Sequence, residues 1–275
     1  MLPPVRDLLE RHGIIANKRL GQHFLLDLNL TGRIAREAGD LSRGTTIEIG
    51  PGPGGLTRAL LEQGAKVVAI ERDERLKPLL DEIVEAYPGR IDIVWADALA
   101  VDLMAIGTAP RRIVANLPYN IATELVMRWL DHAAMYESMT LMVQREVAER
   151  FCAAPDTSAF GRLSVRTQWL CETEILFTVH PKAFVPPPNV ESAVIRLTPR
   201  PQPSFPADDR ILQQVTAAAF GQRRKMLRQS LKRLAIDSGF ADGAALCVAA
   251  GIEPTARAET LEIAAFCRLA ELVGD

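Results

Sequence analysis

The chain has 275 residues, 48% hydrophobic and 24% charged, which is ordinary globular composition with room for one large domain and one small one. Its formal net charge of −2 excludes a protein that is cationic over its whole surface, so any nucleic-acid contact must come from a local basic patch. The longest unbroken apolar stretch, near Ala244 to Ala250, is too short to span a bilayer, and the charged N-terminus MLPPVRDLLERHG lacks a secretory apolar core.

In chain order, residues 1–45 read as a polar lead-in followed by a helix in LLDLNLTGRIAREAGD, with Leu30, Ile34 and Ala38 at helical spacing. TTIEIG is a strand, followed by a Gly-rich turn and a helix in LTRALLEQGA. KVVAIERD is a strand and ERLKPLLDEIVEAY a helix; IDIVWAD and RRIVANL are further strands. ATELVMRWLDHA is helical, and MTLMVQREVAERFCAA passes from strand to helix. LSVRTQWLCETEILFTVH and SAVIRL are read as strands. Strands alternating with helices imply an α/β fold with a parallel, doubly wound sheet. TPRPQPSFPADD, with prolines at 199, 201, 203 and 206, reads as a linker. Beyond it the chain is helical and rich in Ala and Leu. The expected domains are therefore 1–203, an α/β sheet domain, and 204–275, a small all-α domain. The four Cys (152, 171, 247, 267) and four His (12, 23, 132, 180) show no metal-ligand spacing. They predict reduced thiols of a cytoplasmic protein and no metal site.

EIGPGPGGLT ends a strand and opens a helix, and Gly50, Gly52 and Gly55 satisfy G-x-G-x-x-G. Pro53 removes an N–H donor that a phosphate would use, and Glu48 at the strand end would repel one. A ligand with positive charge and no phosphate fits better, and S-adenosylmethionine is such a ligand. Glu71 ends the next strand, about 21 positions after Gly50, where an acid reaches the ribose hydroxyls of an adenosine moiety. Asp97 ends the third, where a carboxylate can accept from the adenine amino group; it also reads as a helix N-cap.

IVANLPYNIAT places Asn116 after the fourth strand, again at the carboxyl edge of the sheet. Asn116 offers a carbonyl acceptor. Pro118 pushes Leu117 toward an extended conformation that aims its backbone carbonyl outward as a second acceptor, and Tyr119 supplies a flat ring. Two acceptors and a stacking face suit an exocyclic amine on a planar base taken out of its stack. A capped turn with a core tyrosine is the plainer alternative.

NLPYNIAT resembles the motif of amino-methyltransferases. Together with KRLGQHFLLD, PKAFVPPPNVESAVIRL and FGQRRKMLRQSL it resembles, in order from about residue 17 to at least 234, the KsgA-type (RsmA) ribosomal RNA adenine dimethyltransferases. The resemblance implies a Rossmann-like S-adenosylmethionine-dependent methyltransferase sheet with a small all-α C-terminal domain. It implies dimethylation of two adjacent adenosines in the 3′-terminal hairpin of small-subunit rRNA, within an assembling subunit, by a monomeric cytoplasmic enzyme. By the same resemblance His23 (Asn in many members), Leu25, Gly50, Glu71, Asp97 and Asn116 bind the cofactor. Asn116, Leu117 and Tyr119 hold the target base, and Phe184 sandwiches it opposite Tyr119. Without the resemblance Phe184 reads as a core anchor.

GQRRKMLRQSLKR, residues 221–233, has six Lys/Arg and no acid. Leu227, Leu231, Leu234 and Phe220 would form one helical face, with Arg224, Arg228 and Lys232 beside it at i, i+4 and i+8. A solvated face is the ordinary reading of such a run. Against an acidic chain it reads instead as an RNA-backbone site of Arg223, Arg224, Lys225, Arg228 and Lys232. Three alternatives stay open: an Erm-type enzyme acting on large-subunit rRNA, a non-catalytic RNA-binding assembly factor, and an NAD-dependent dehydrogenase.

Overall fold

The computed structural model describes residues 2–17 and 21–274. Lys18, Arg19 and Leu20 of the KRLGQHFLLD motif, and the terminal residues Met1 and Asp275 of the two expected domains, lie outside the described residues. The chain forms two compact units. One runs to Ala148 and resumes over Glu174–Pro199; the other comprises Glu149–Thr173 and the chain from Arg200 onward.

The first unit is built on a seven-stranded sheet. Its strands are β2 (Thr45–Ile49), β3 (Val67–Glu71), β4 (Ile91–Trp95), β5 (Arg111–Asn116), β6 (Tyr136–Gln144), β7 (Cys171–Val179) and β9 (Ser192–Pro199), in the order β4-β3-β2-β5-β6-β9-β7. β1 (Phe24–Leu25) and β8 (Phe184–Val185) form a separate antiparallel pair, Phe24 opposite Val185 and Leu25 opposite Phe184. The pairs β2–β3, β3–β4, β2–β5 and β5–β6 are parallel. β6 and β9 are antiparallel, so the sheet is mixed and not parallel throughout. Hydrophobic runs report that a strand is buried, not which way it points, and the sequence carried no sign of this reversal. β2 and β3 are buried at every position, as two-sided covering by helices demands.

The helices α1 (Val5–Arg11), α2 (Leu28–Glu37), α3 (Gly55–Glu62), α4 (Lys77–Ala86) and α5 (Ala122–Leu130) belong to this unit. Asp27 caps α2, accepting from the N–H groups of Asn29 and Leu30 at 2.9 and 3.2 Å. α1 was not foreseen, since seven residues carry little periodicity; Val5, Leu8 and Leu9 nonetheless sit in the core with Leu60, Leu80 and Ile83.

The second unit is helical but does not begin at residue 204. Residues 149–173 belong to it, so the chain is not divided by the single cut that the proline run suggested. α7 (Arg162–Leu170) supplies the reason: Val165 and Trp169, with Phe160, share one apolar core with Leu212, Val215, Leu227, Leu246 and Phe266. Trp169 Nε1 donates to the Phe205 carbonyl at 2.8 Å, and Arg166 pairs with Asp209, its Nε 2.9 Å from Oδ1. α7 also corrects the strand expected over LSVRTQWL. Leu163 through Thr167 are all buried, and a helix sealed on most sides shows no 3.6-residue pattern. Ser164 reaches back to the Gly161 N–H at 3.1 Å and fixes where the helix starts. The remaining helices are α6 (Arg145–Cys152), within which the division falls, α8 (Asp209–Gly221), α9 (Leu227–Ser230), α10 (Lys232–Asp237), α11 (Gly243–Ala249) and α12 (Ile263–Gly274).

Candidate active site

Strand order reverses direction between β2 and β5, since β3 lies outside β2 while β5 lies on its other side. Open α/β sheets bind ligands at the carboxyl ends of the strands beside such a switch point. A cleft open to solvent lies there. It is lined by His23 and Leu25 from β1 and the residue before it, Glu48 in β2 and the glycine turn after it, Glu71 at the end of β3 and Arg72 beyond, Asp97 after β4, and Asn116 at the end of β5 with Leu117 and Tyr119 beyond. Eight of the nine residues expected to hold cofactor or base, His23, Leu25, Gly50, Glu71, Asp97, Asn116, Leu117 and Tyr119, thus converge on one volume.

The glycine turn is shaped for close approach. Gly50 has φ +66°, and a Cβ there would meet nothing within 4 Å, so its backbone faces open space. Gly55 is needed for the opposite reason: a Cβ would lie 2.6 Å from the Leu25 carbonyl oxygen, so only glycine lets β1 reach the start of α3.

The two glutamates differ. Glu71 is 5% exposed, and its carboxylate accepts from the N–H groups of Arg72 and Asp73, both at 2.8 Å, and of Gly52 at 3.2 Å. Burial pushes its pKa up, while those backbone donors oppose the shift. Glu48 is 1% exposed, and its Oε2 has no hydrogen-bond partner among the described residues. Burial pushes its pKa up to about 8, with the nearby Glu71 adding to the rise and Thr57 opposing it. At neutral pH Glu48 is therefore a carboxylic acid, and the fixed negative charge expected from sequence is not present. A nearby positive charge favours the ionised form of a carboxyl group, so a preference for a cationic ligand would rest on that coupling and not on a fixed charge.

Asp97 lines the cavity but caps no helix, since none begins there. Oδ1 accepts from the Leu99 N–H at 3.0 Å, a local turn bond, and Oδ2 takes Arg72 Nη1 at 3.1 Å. Arg72 was not singled out from sequence, although the charged run ERDER contained it. Asp73 in the same run accepts from Gln22 Nε2 at 2.8 Å and pairs with Arg75, which tethers the segment after β3 to the residues before β1.

Asn116 donates from Nδ2 to the His23 carbonyl at 3.3 Å. With the nitrogen so engaged, Oδ1 is the end left to accept a hydrogen bond. Leu117 is buried, and its N–H donates to the Met142 carbonyl at 3.1 Å. The Tyr119 ring stacks on His23 with centroids 5.6 Å apart. The His23 side chain also bonds Pro186, so position 23 touches the site through both its ring and its backbone. Phe184 is the exception. It is 2% exposed, packs in the apolar core and is not among the residues lining the cavity, so the sandwich with Tyr119 is not formed here. Its side chain lies in the apolar core cluster, which is the core-anchor reading.

The basic segment is not one helix. α8 ends at Gly221, a turn follows, and α9 and α10 are short separate helices, so Arg224, Arg228 and Lys232 do not form one helical row. Leu227 and Leu231 are buried as expected. Arg223 is held by Glu259 at 2.8 Å and by the Ser158 carbonyl at 2.6 Å. Arg224, Lys225, Arg228 and Lys232 are exposed, and among the described residues their side chains have no acidic partner.

Residues 14–275 match the profile of the ribosomal RNA adenine dimethylase family. The chain is 58% identical over 273 residues to the ribosomal RNA small subunit methyltransferase A of Rhodospirillum rubrum, covering 99% of this chain and 93% of that protein. Its counterpart in Paramagnetospirillum magneticum is also 58% identical, over 98% of this chain and 94% of the relative. Among solved structures, the 23S rRNA methyltransferase ErmE is similar with a TM-score of 0.70 and 27% identity, covering 92% of this chain and 100% of that one. A dimethyladenosine transferase from Plasmodium falciparum shares the fold, with a TM-score of 0.76 at 22% identity over 90% of this chain and 96% of that one. The mixed sheet, the cavity at its switch point and these matches agree, and this chain belongs to the ribosomal RNA adenine dimethylase family.

Proposed function

We propose that this protein transfers methyl groups from S-adenosylmethionine to the exocyclic amines of two adjacent adenosines in the 3′-terminal hairpin of small-subunit rRNA. The observation that carries the chemistry is the fixed amide of Asn116: its nitrogen is taken by His23, so its oxygen points an acceptor at the ligand space. Asn116 Oδ1 and the Leu117 carbonyl hold the two amine hydrogens, leaving the nitrogen lone pair for the methyl group, and Tyr119 stacks the base. Orientation supplies most of the rate, with electrostatic help as the nitrogen becomes cationic.

The cavity fits the cofactor. The open backbone at Gly50 gives room for close approach, and the unpartnered Glu48 Oε2 offers an acceptor for a cation. Glu71 would take the ribose hydroxyls, Asp97 the adenine amino group, and the backbone at His23 and Leu25 would border the amino-acid end. S-adenosylmethionine, when bound, supplies the activated methyl group.

The choice of the small subunit follows relatedness: 58% identity to a small-subunit enzyme against 27% to a 23S enzyme. Arg224, Lys225, Arg228 and Lys232 would neutralise rRNA phosphates, while Arg223 braces the turn. The protein would act as a cytoplasmic monomer on an assembling subunit; among the described residues no helix is long and apolar enough to cross a membrane. The test is incubation with labelled S-adenosylmethionine and unmethylated small subunits, followed by mapping of the label. Label on adjacent adenosines of the 3′-terminal hairpin is expected. Label confined to large-subunit rRNA would replace this reading with the Erm-type one, and no transfer would leave an RNA-binding factor.

A further inference from the structure

Tyr119 is not a free ring on a loop. Its phenol oxygen lies 2.6 Å from Ser192 Oγ. Ser192 is fully buried, and it opens β9 opposite Gln144 of β6, so its hydroxyl is fixed to the sheet. The other constraint is the His23 ring, whose plane lies 25° from that of Tyr119. That ring is fixed in turn, with Nδ1 2.8 Å from the Pro186 carbonyl oxygen; a carbonyl only accepts, so Nδ1 donates. Burial also holds the Tyr119 phenol above its ordinary pKa, so the hydroxyl keeps its proton.

We propose that Ser192 is a positioning residue for the methyl-accepting base, acting through the Tyr119 hydroxyl to set the tilt of the ring before RNA arrives. This rests on the reading that Tyr119 stacks the target base. His23 stacks on one face of the ring, so the base would stack on the other. The His23 carbonyl also aims Asn116, so the stacking face and the amine acceptor share one reference point. Without Ser192 the ring keeps its area but loses its set angle. The cost then falls on the transfer step, which depends on alignment, and not on binding of RNA or cofactor.

Ser192 carried no signal of its own in the sequence, where it is one small residue at the start of a strand. The test is a double-variant cycle read by single-turnover methylation of unmethylated small subunits at saturating S-adenosylmethionine. Ser192→Ala and Tyr119→Phe are each expected to slow transfer about two- to tenfold, the effect of one neutral hydrogen bond. The double variant is expected to be no slower than the slower single one, and subunit and cofactor affinities are expected to stay at the parent values. Multiplying losses in the double variant, or a normal rate for Tyr119→Phe, would overturn the proposal. Should Ser192→Ala fail to fold, Tyr119→Phe decides alone, because it keeps the ring and removes only the hydroxyl. Tyr119→Ala separates the two readings. If it methylates normally, the stacking role itself is lost; if it is slow while Tyr119→Phe is normal, only the Ser192 proposal falls.

Discussion

In the cavity at the sheet edge, Glu48 and Glu71 are almost sealed from water, and Asn116 and Tyr119 are each held by a named partner. In the turn and short helices after Gly221, Arg224, Lys225, Arg228 and Lys232 stand exposed without an acidic partner among the described residues. On the proposed function the first region would work by fixed geometry in a poorly solvated space, where one misplaced acceptor matters. The second would work by charge in water, where several interchangeable cations share a diffuse target. Removal of one group should therefore be severe in the first and graded in the second.

The largest effect expected is Asn116→Ala, which should slow single-turnover methylation by about a hundredfold or more while small-subunit binding survives. A near-normal rate would remove the acceptor role. Next is Glu71→Ala, where loss of a charged acceptor should weaken S-adenosylmethionine binding by roughly ten- to hundredfold in calorimetry. The same change strands the N–H groups of Gly52, Arg72 and Asp73, so denaturant unfolding should also show a stability loss of about 1–3 kcal/mol. Unchanged cofactor affinity in folded protein would exclude Glu71 from the site.

Charge reversal at Arg224 and Arg228 tests the other side of the contrast. It should leave cofactor affinity alone and weaken subunit binding in a salt-dependent way. Each lost phosphate contact should reduce the slope of log affinity against log salt by roughly 0.7–0.9, so the pair should flatten it by between about one and two units. A normal slope would return the segment to a merely solvated surface.

The smallest effect concerns Glu48. Its folded pKa of about 8 lies above the ordinary 4.5, so the folded protein keeps a proton that the unfolded chain releases. Stability from this group is full below the ordinary value, falls as pH rises toward about 8, and is flat beyond. Glu48→Gln, which does not titrate, should melt at a higher temperature than the parent in the unliganded protein near pH 8, with the gain fading toward pH 5. The same variant should bind S-adenosylmethionine more weakly. A melting curve with no pH-dependent gain would show that Glu48 is ionised in the free protein, and would bring the cavity closer to the charged surface it is contrasted with.

The sequence by itself determined which strand ends meet at the cavity. Gly50, Glu71, Asp97 and Asn116 each follow a short apolar run, and a parallel sheet must bring such ends to one edge. It also showed the helical character of the C-terminal segment and its local excess of positive charge. Only the tertiary structure decided what depends on neighbours remote in sequence. LSVRTQWL is a helix that the sequence hid, because burial on most sides within the second unit erased its period. Phe184 lies in the apolar core cluster, and Arg224, Arg228 and Lys232 lost their common row because α8 stops at Gly221. Glu48 lost its charge for the same kind of reason. Protonation is set by desolvation and by what stands beside the group in space, and neither is written in the residues beside it along the chain.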